Sequence, residues 1–93
     1  MILLDTHAWL WLAVAPKKLS RPATRAIQQA LKSGGIAIAS ITLLESAWLF
    51  ANGRMRSSGT VVQALLQLVD STRVQVLELT PEVAATAVQL PGS

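Results

Sequence analysis

The sequence predicts a parallel α/β domain, and three observations carry that prediction. Two short runs, residues 2–4 and 36–39, are apolar without alternation, as strands buried on both faces are. A third run, residues 74–79, is enriched in β-branched residues. Between the runs lie stretches with helical spacing of apolar residues, bounded by cap and breaker residues. Strands alternating with helices give a parallel sheet with right-handed crossovers and helices on its faces.

The elements follow in order. Asp5 and Thr6 close the first strand, and either can cap a helix over residues 7–14. Ala15-Pro16 breaks that helix, because a residue before proline is pushed out of the α region, and residues 17–19 read as a loop. Ser20 is the next N-cap, with Pro22 in the first turn; Ala23, Ile27, Ala30 and Leu31 share one face as far as Ser33, and Gly34-Gly35 stops the helix. After the second strand, Ser40 or Thr42 caps a helix over residues 41–52, with Gly53 as its C-terminal signal. Residues 54–59, Arg-Met-Arg-Ser-Ser-Gly, form a basic, polar loop. Thr60 caps a helix through Val61, Leu65, Leu68 and Val69 that ends near Ser71. The third strand follows, then Thr80 and Pro81 open a last helix that reaches about Val88, before Leu90-Pro91-Gly92-Ser93. The order is β-α-α-β-α-α-β-α, without internal repeats, and 93 residues make one small domain over 1–93.

Composition narrows the classes. Apolar residues make up 52% and charged residues 14%, with a mean hydropathy of +0.46, so some apolar area is expected to await a second copy or another protein. A net charge of +3 is compatible with a polyanionic partner. With no cysteine there is no disulfide framework, thiolate zinc site or cysteine nucleophile, and a reducing cytoplasm suits the chain. Asp5 interrupts the apolar start and no basic segment precedes it, which argues against a signal peptide. No run approaches the roughly 18 apolar residues of a membrane span, so a soluble protein is expected.

Ligands of parallel sheets bind beyond the carboxyl ends of the strands. Asp5 stands at one such end, and Glu45 in the second turn of the helix leaving another. Glu45 is the sole charge between Ile36 and Gly53, and its helical neighbours Ile41, Thr42, Trp48 and Leu49 supply no cation. A carboxylate in such surroundings calls for a compensating cation or a proton. Each acid also has a plainer role: Asp5 as a helix cap, Glu45 as the partner of a Lys or Arg from another element. Two carboxylates, no cysteine and one histidine favour a hard cation, Mg²⁺ or Mn²⁺, over zinc. Such an ion activates water and neutralises charge building on a phosphoryl group.

Residues 1–12, Met-Ile-Leu-Leu-Asp-Thr-His-Ala-Trp-Leu-Trp-Leu, resemble the opening of PIN-domain proteins, especially the VapC-type toxins of bacterial toxin–antitoxin pairs. Lys18-Leu19-Ser20 fits the same pattern, as does Ile-Ala-Ser-Ile-Thr-Leu-Leu-Glu-Ser-Ala over residues 38–47, where the family has a Ser, a few apolar residues and its second acid. Residues 77–84 resemble the third strand and the helix after it. The resemblance covers the whole chain.

It implies a three-layer α/β/α PIN-like fold and a metal-dependent endoribonuclease, the toxin of a VapBC-type pair. Asp5 and Glu45 become the catalytic, metal-holding acids for Mg²⁺ or Mn²⁺, with Thr6 and Ser40 as candidates to orient the site; both hydroxyls also suit helix caps. The substrate is RNA, the partner a VapB-type antitoxin, and the assembly a homodimer built on apolar helices. Arg54 and Arg56, with Lys17 and Lys18, are candidates for phosphate contacts. His7 is expected beside the site rather than in catalysis, and Trp9, Trp11 and Trp48 in the core or a subunit contact. Asp70, Glu78 and Glu82 do not match the family's later acids, which follow the last helix read here. The sequence stops where that segment would start. The expectation is a sheet without its C-terminal strands, with strand one left as an edge. The alternative function is a catalytically silent, truncated PIN module that only binds antitoxin or self-associates.

Overall fold

A computed structural model describes residues 1–57 and 59–89, with 87–89 described by their backbone; Ser58 and the expected ending over 90–93 lie outside the described residues. Strand β1 (Ile2–Leu4) leads into helix α1 (Thr6–Val14), a 3-10 turn (Pro16–Lys18) and α2 (Arg21–Ser33). Strand β2 (Ile36–Ala39) runs into α3 (Ser40–Ala51), then α4 (Val61–Thr72), β3 (Gln75–Leu77) and α5 (Pro81–Gln89). The predicted order holds among the described residues.

Local chemistry sets most of the boundaries. Asp5 caps α1, its Oδ1 accepting the Ala8 N–H at 2.7 Å, and Ser20 Oγ accepts the Ala23 N–H at 3.2 Å to start α2. Thr60 and Gln63 form a reciprocal capping box at α4: Thr60 Oγ1 accepts the Gln63 N–H at 3.2 Å and Gln63 Oε1 accepts the Thr60 N–H at 2.9 Å. Thr80 Oγ1 accepts the Val83 N–H at 3.1 Å at the start of α5. Gly53 takes φ +73° just past α3, as the sequence suggests. Helix α4 stops without a glycine: Arg73 itself adopts the left-handed conformation, φ 57°.

The sheet order is β1-β2-β3 and both pairings are parallel. Register couples Leu4 to Ile38 and Ile38 to Val76, so every second residue shares a face. On one face Leu4, Ile36 and Ile38 join Trp9, Ile27, Ala30, Leu68 and Val74 in a continuous core drawn from α1, α2 and α4. On the other, Leu3, Ala37 and Leu77 meet α5 through Glu82, Val83 and Thr86 around a cleft of about 210 Å³. Helices therefore cover both faces, the three-layer arrangement expected. All four residues of β2 are buried, as befits the middle strand. Among the described residues β1 pairs with β2 alone, so it stands at an edge.

Trp9 is the largest wholly buried side chain, and its indole N–H donates to Thr72 Oγ1 at 2.9 Å, tying α1 to the end of α4. Trp11 is half-buried and Trp48 is 59% exposed, so one tryptophan of the three belongs to the inner core.

The structure corrects several readings. Leu31, assigned to the buried face of α2, is 51% exposed; the buried residues of that helix are Ile27 and Ala30. Residues 16–18 form a 3-10 turn, started by Pro16, rather than loop. The third strand is shorter than its β-branched run: the Leu79 N–H donates to Ser40 Oγ at 3.2 Å, beyond the paired residues 75–77. No helix among the described residues is long and apolar enough to cross a membrane.

Trp9→Ala is expected to cost about 3–5 kcal/mol, the range for emptying a large aromatic site. Trp48→Ala should cost about 0.5 kcal/mol or less, as exposed changes do. Urea unfolding followed by circular dichroism separates the two; equal losses would contradict the core assigned here.

Candidate active site

The parallel pairing of β1 with β2 places two helix starts side by side. Neighbouring strands lie about 4.8 Å apart, and each here turns directly into a helix, α1 after Leu4 and α3 after Ala39. Both N-termini carry the positive end of a helix dipole, favourable for carboxylates. Asp5 is the capping residue of the first, and Glu45 lies in the second turn of the other.

A hydroxyl joins the two segments. Thr6 Oγ1 donates to Glu45 Oε1 at 2.6 Å and lies 3.2 Å from Thr42 Oγ1. Asp5 and Glu45, forty positions apart in sequence, are therefore linked through the residue next to Asp5. Asp5 is half-buried, with Oδ1 on the Ala8 N–H. Thr42 is 3% exposed and Ser46 fully buried, the Ser46 hydroxyl donating to the Thr42 carbonyl at 2.7 Å.

Glu45 differs from its sequence reading in one respect. It is exposed rather than sunk among apolar neighbours, because α3 turns that side outward together with Ile41, Leu44 and Trp48. An exposed carboxylate is solvated by water and needs no compensating cation. Its bond comes from a hydroxyl, not from a Lys or Arg.

Ser40 is not a helix cap. Helix α3 begins at Ser40 itself, its N-cap is Ala39, and no side chain caps it. The Ser40 hydroxyl instead receives the Leu79 N–H, holding the chain beyond β3 against the start of α3. Thr42 is not a cap either; it faces Thr6.

Arg54 and Arg56 do not join the acids. From Glu45 to the end of α3 at Ala51 is roughly 9 Å of helix, and both arginines lie beyond that end, exposed. Arg56 lines a groove of about 410 Å³ with Val14, Phe50 and Met55. Val14 ends α1, and Lys17 and Lys18 stand exposed in the turn after it. His7 is exposed, its ring 6.0 Å from that of Trp11 and tilted by 57°. Asp70, Glu78 and Glu82 are exposed, as expected. Among the described residues no three His, Cys, Asp or Glu side chains gather as a metal-holding group.

Thr42, read with Ser40 as an alternative cap, is a site residue that sequence reasoning missed. Its spacing from Glu45, three positions on one helix, puts both on one face and was the available signal.

Fold and site together define a parallel α/β protein with carboxylates and hydroxyls gathered at adjacent strand ends. The PIN domain family model matches residues 2–92. Ribonuclease VapC22 of Mycobacterium tuberculosis is 39% identical over 92 residues, which take in 99% of this chain and 67% of that relative. The chain belongs to the PIN-domain family and is of its VapC type. No solved structure gives a significant match.

Ser40→Ala is expected to speed hydrogen exchange at the Leu79 amide and leave the first-turn amides of α3 unchanged. The reverse pattern, measured by NMR, would restore the capping role.

Proposed function

We propose that this chain is a metal-dependent endoribonuclease of the VapC type, the toxin of a toxin–antitoxin pair. The observation that carries the reading is the Thr6 bridge, which brings the helix starts bearing Asp5 and Glu45 together in a chain similar to a named ribonuclease. The donor set suits a hard cation such as Mg²⁺ or Mn²⁺: carboxylates and hydroxyls, with no thiolate and one exposed imidazole. Mg²⁺ is commonly held by one or two carboxylates, water completing its shell. Asp5 and Glu45 would hold the ion, which when bound supplies Lewis-acid stabilisation of a phosphodiester and activation of water.

The residues around the acids serve to hold them still. The Ala8 N–H anchors one oxygen of Asp5, and the Thr6 hydroxyl anchors one of Glu45. Ser40 acts one step away by fixing the segment after β3 beside the start of α3. Arg54 and Arg56, at the far end of α3, would touch RNA phosphates away from the reacting one. Ile41, Leu44 and Trp48 on α3 and Val62 and Leu66 on α4 leave apolar side chains exposed, which suits a VapB-type antitoxin or a second copy. The absence of cysteine suits a cytoplasmic site of action.

A second reading is a silent PIN module that binds antitoxin or self-associates. It is favoured by the lack, among the described residues, of any third acid beside Asp5 and Glu45.

RNA cleavage in Mg²⁺ or Mn²⁺ tests both. Asp5→Asn and Glu45→Gln are each expected to lower the rate by at least about a hundredfold, more than loss of a supporting partner would. Cleavage surviving both changes would sink the metal-site assignment. Equal inactivity of all three folded proteins would favour the silent module.

A further inference from the structure

We infer that Thr42 is a positioning residue for Glu45 and acts through Thr6. The inference rests on the reading of Glu45 as a metal-site acid, and a count of hydrogens carries it. A threonine hydroxyl has one hydrogen to give and lone pairs to receive. The Thr6 hydrogen goes to Glu45 Oε1, over 2.6 Å. The contact of 3.2 Å between Thr6 Oγ1 and Thr42 Oγ1 must therefore use the hydrogen of Thr42. The direction is Thr42 to Thr6 to Glu45.

Burial makes this direction count. Thr42 is 3% exposed, so water does not compete freely for its hydroxyl. Its helical turn is braced by the wholly buried Ser46, which donates to the Thr42 carbonyl. Glu45 is exposed and would otherwise sample several rotamers. A buried donor behind Thr6 keeps the Thr6 hydrogen turned outward, and chained hydrogen bonds strengthen one another. The Thr6 bond leaves Glu45 Oε2, which accepts no hydrogen bond from the described residues, as the oxygen to offer an ion.

The test compares Thr42→Val, Thr42→Ser, Thr6→Val and the Thr6→Val/Thr42→Val double variant, with Thr42→Ala held ready should the valine variant fail to fold. Two quantities are read on each full chain: Mn²⁺ affinity by calorimetry, and the Glu45 χ1 rotamer by metal-free NMR couplings. Thr42→Val is expected to weaken Mn²⁺ binding about three- to tenfold, at or below the low end for supporting partners of metal ligands. It should also turn Glu45 from one rotamer to an average, while Thr42→Ser restores both. On the Thr6→Val background the Thr42 change should add nothing, since its route to Glu45 is gone. Additive losses in the double variant, or an unchanged Glu45 rotamer in Thr42→Val, would overturn the inference. Failure of the underlying reading looks different: Glu45→Gln binds Mn²⁺ as well as the parent chain, or the parent binds none. In either case the rotamer measurement still decides the role of Thr42.

Discussion

The in-register parallel pairing of β1 with β2 is the constraint on which the rest of the molecule depends. Because Leu4 stands opposite Ile38, the two strands finish nearly level, and the helices that follow must begin next to each other. Thr6 can then reach Thr42 and Glu45 without any loop to carry it. A slip of one residue would send Leu4 to the opposite face and carry Thr6 out of reach. The unequal size of the two faces of β2, Ile36 and Ile38 on one and Ala37 and Ala39 on the other, opposes that slip, since it would exchange large and small side chains between the layers. Core packing and site geometry are thus one requirement.

Polar side chains at the strand ends perform the work that loops do in many enzymes. Asp5 closes α1, Thr6 bridges to α3, and Ser40 gathers in the chain after β3. Each bond is short-range in space and either long-range in sequence or begins a helix, so each ties the site directly to the helices and strands. The positive side chains are arranged differently. Arg54, Arg56, Lys17 and Lys18 sit past the far ends of α3 and α1, leaving the acidic site and the basic surface at separate places along the same helical layer.

Much of this was legible in the sequence, for reasons that can be named. Caps were readable wherever the side chain bonds its own helix: Ser20, Thr60 and Thr80 each behave as their spacing suggests. Asp5 does so too, and Asp5 and Glu45 lie on neighbouring helix starts as strand-end chemistry predicts. Thr6 and Ser40 were named as site-orienting candidates, but the partners of the bonds made between elements escaped. Ser40 has the identity and place of a cap, yet its hydroxyl serves Leu79, 39 positions away. Thr42 likewise turns to Thr6 rather than to its own backbone. The exposure of Glu45 escaped for a related cause: its apolar neighbours Ile41, Leu44 and Trp48 face outward with it, and periodicity does not say which side of an all-round apolar helix meets the core.

The unequal settings of the tryptophans give the molecule its own optical reporters. Trp9 is sealed in the core with its indole N–H engaged by Thr72, so its emission should be blue-shifted and slow to respond to quenchers in solution. Trp48 faces solvent on the same helix as Glu45, where any molecule laid along α3 would alter its colour and its access to iodide. Loosening of the core and occupation of the outer helical face can therefore be watched separately, in one unlabelled sample.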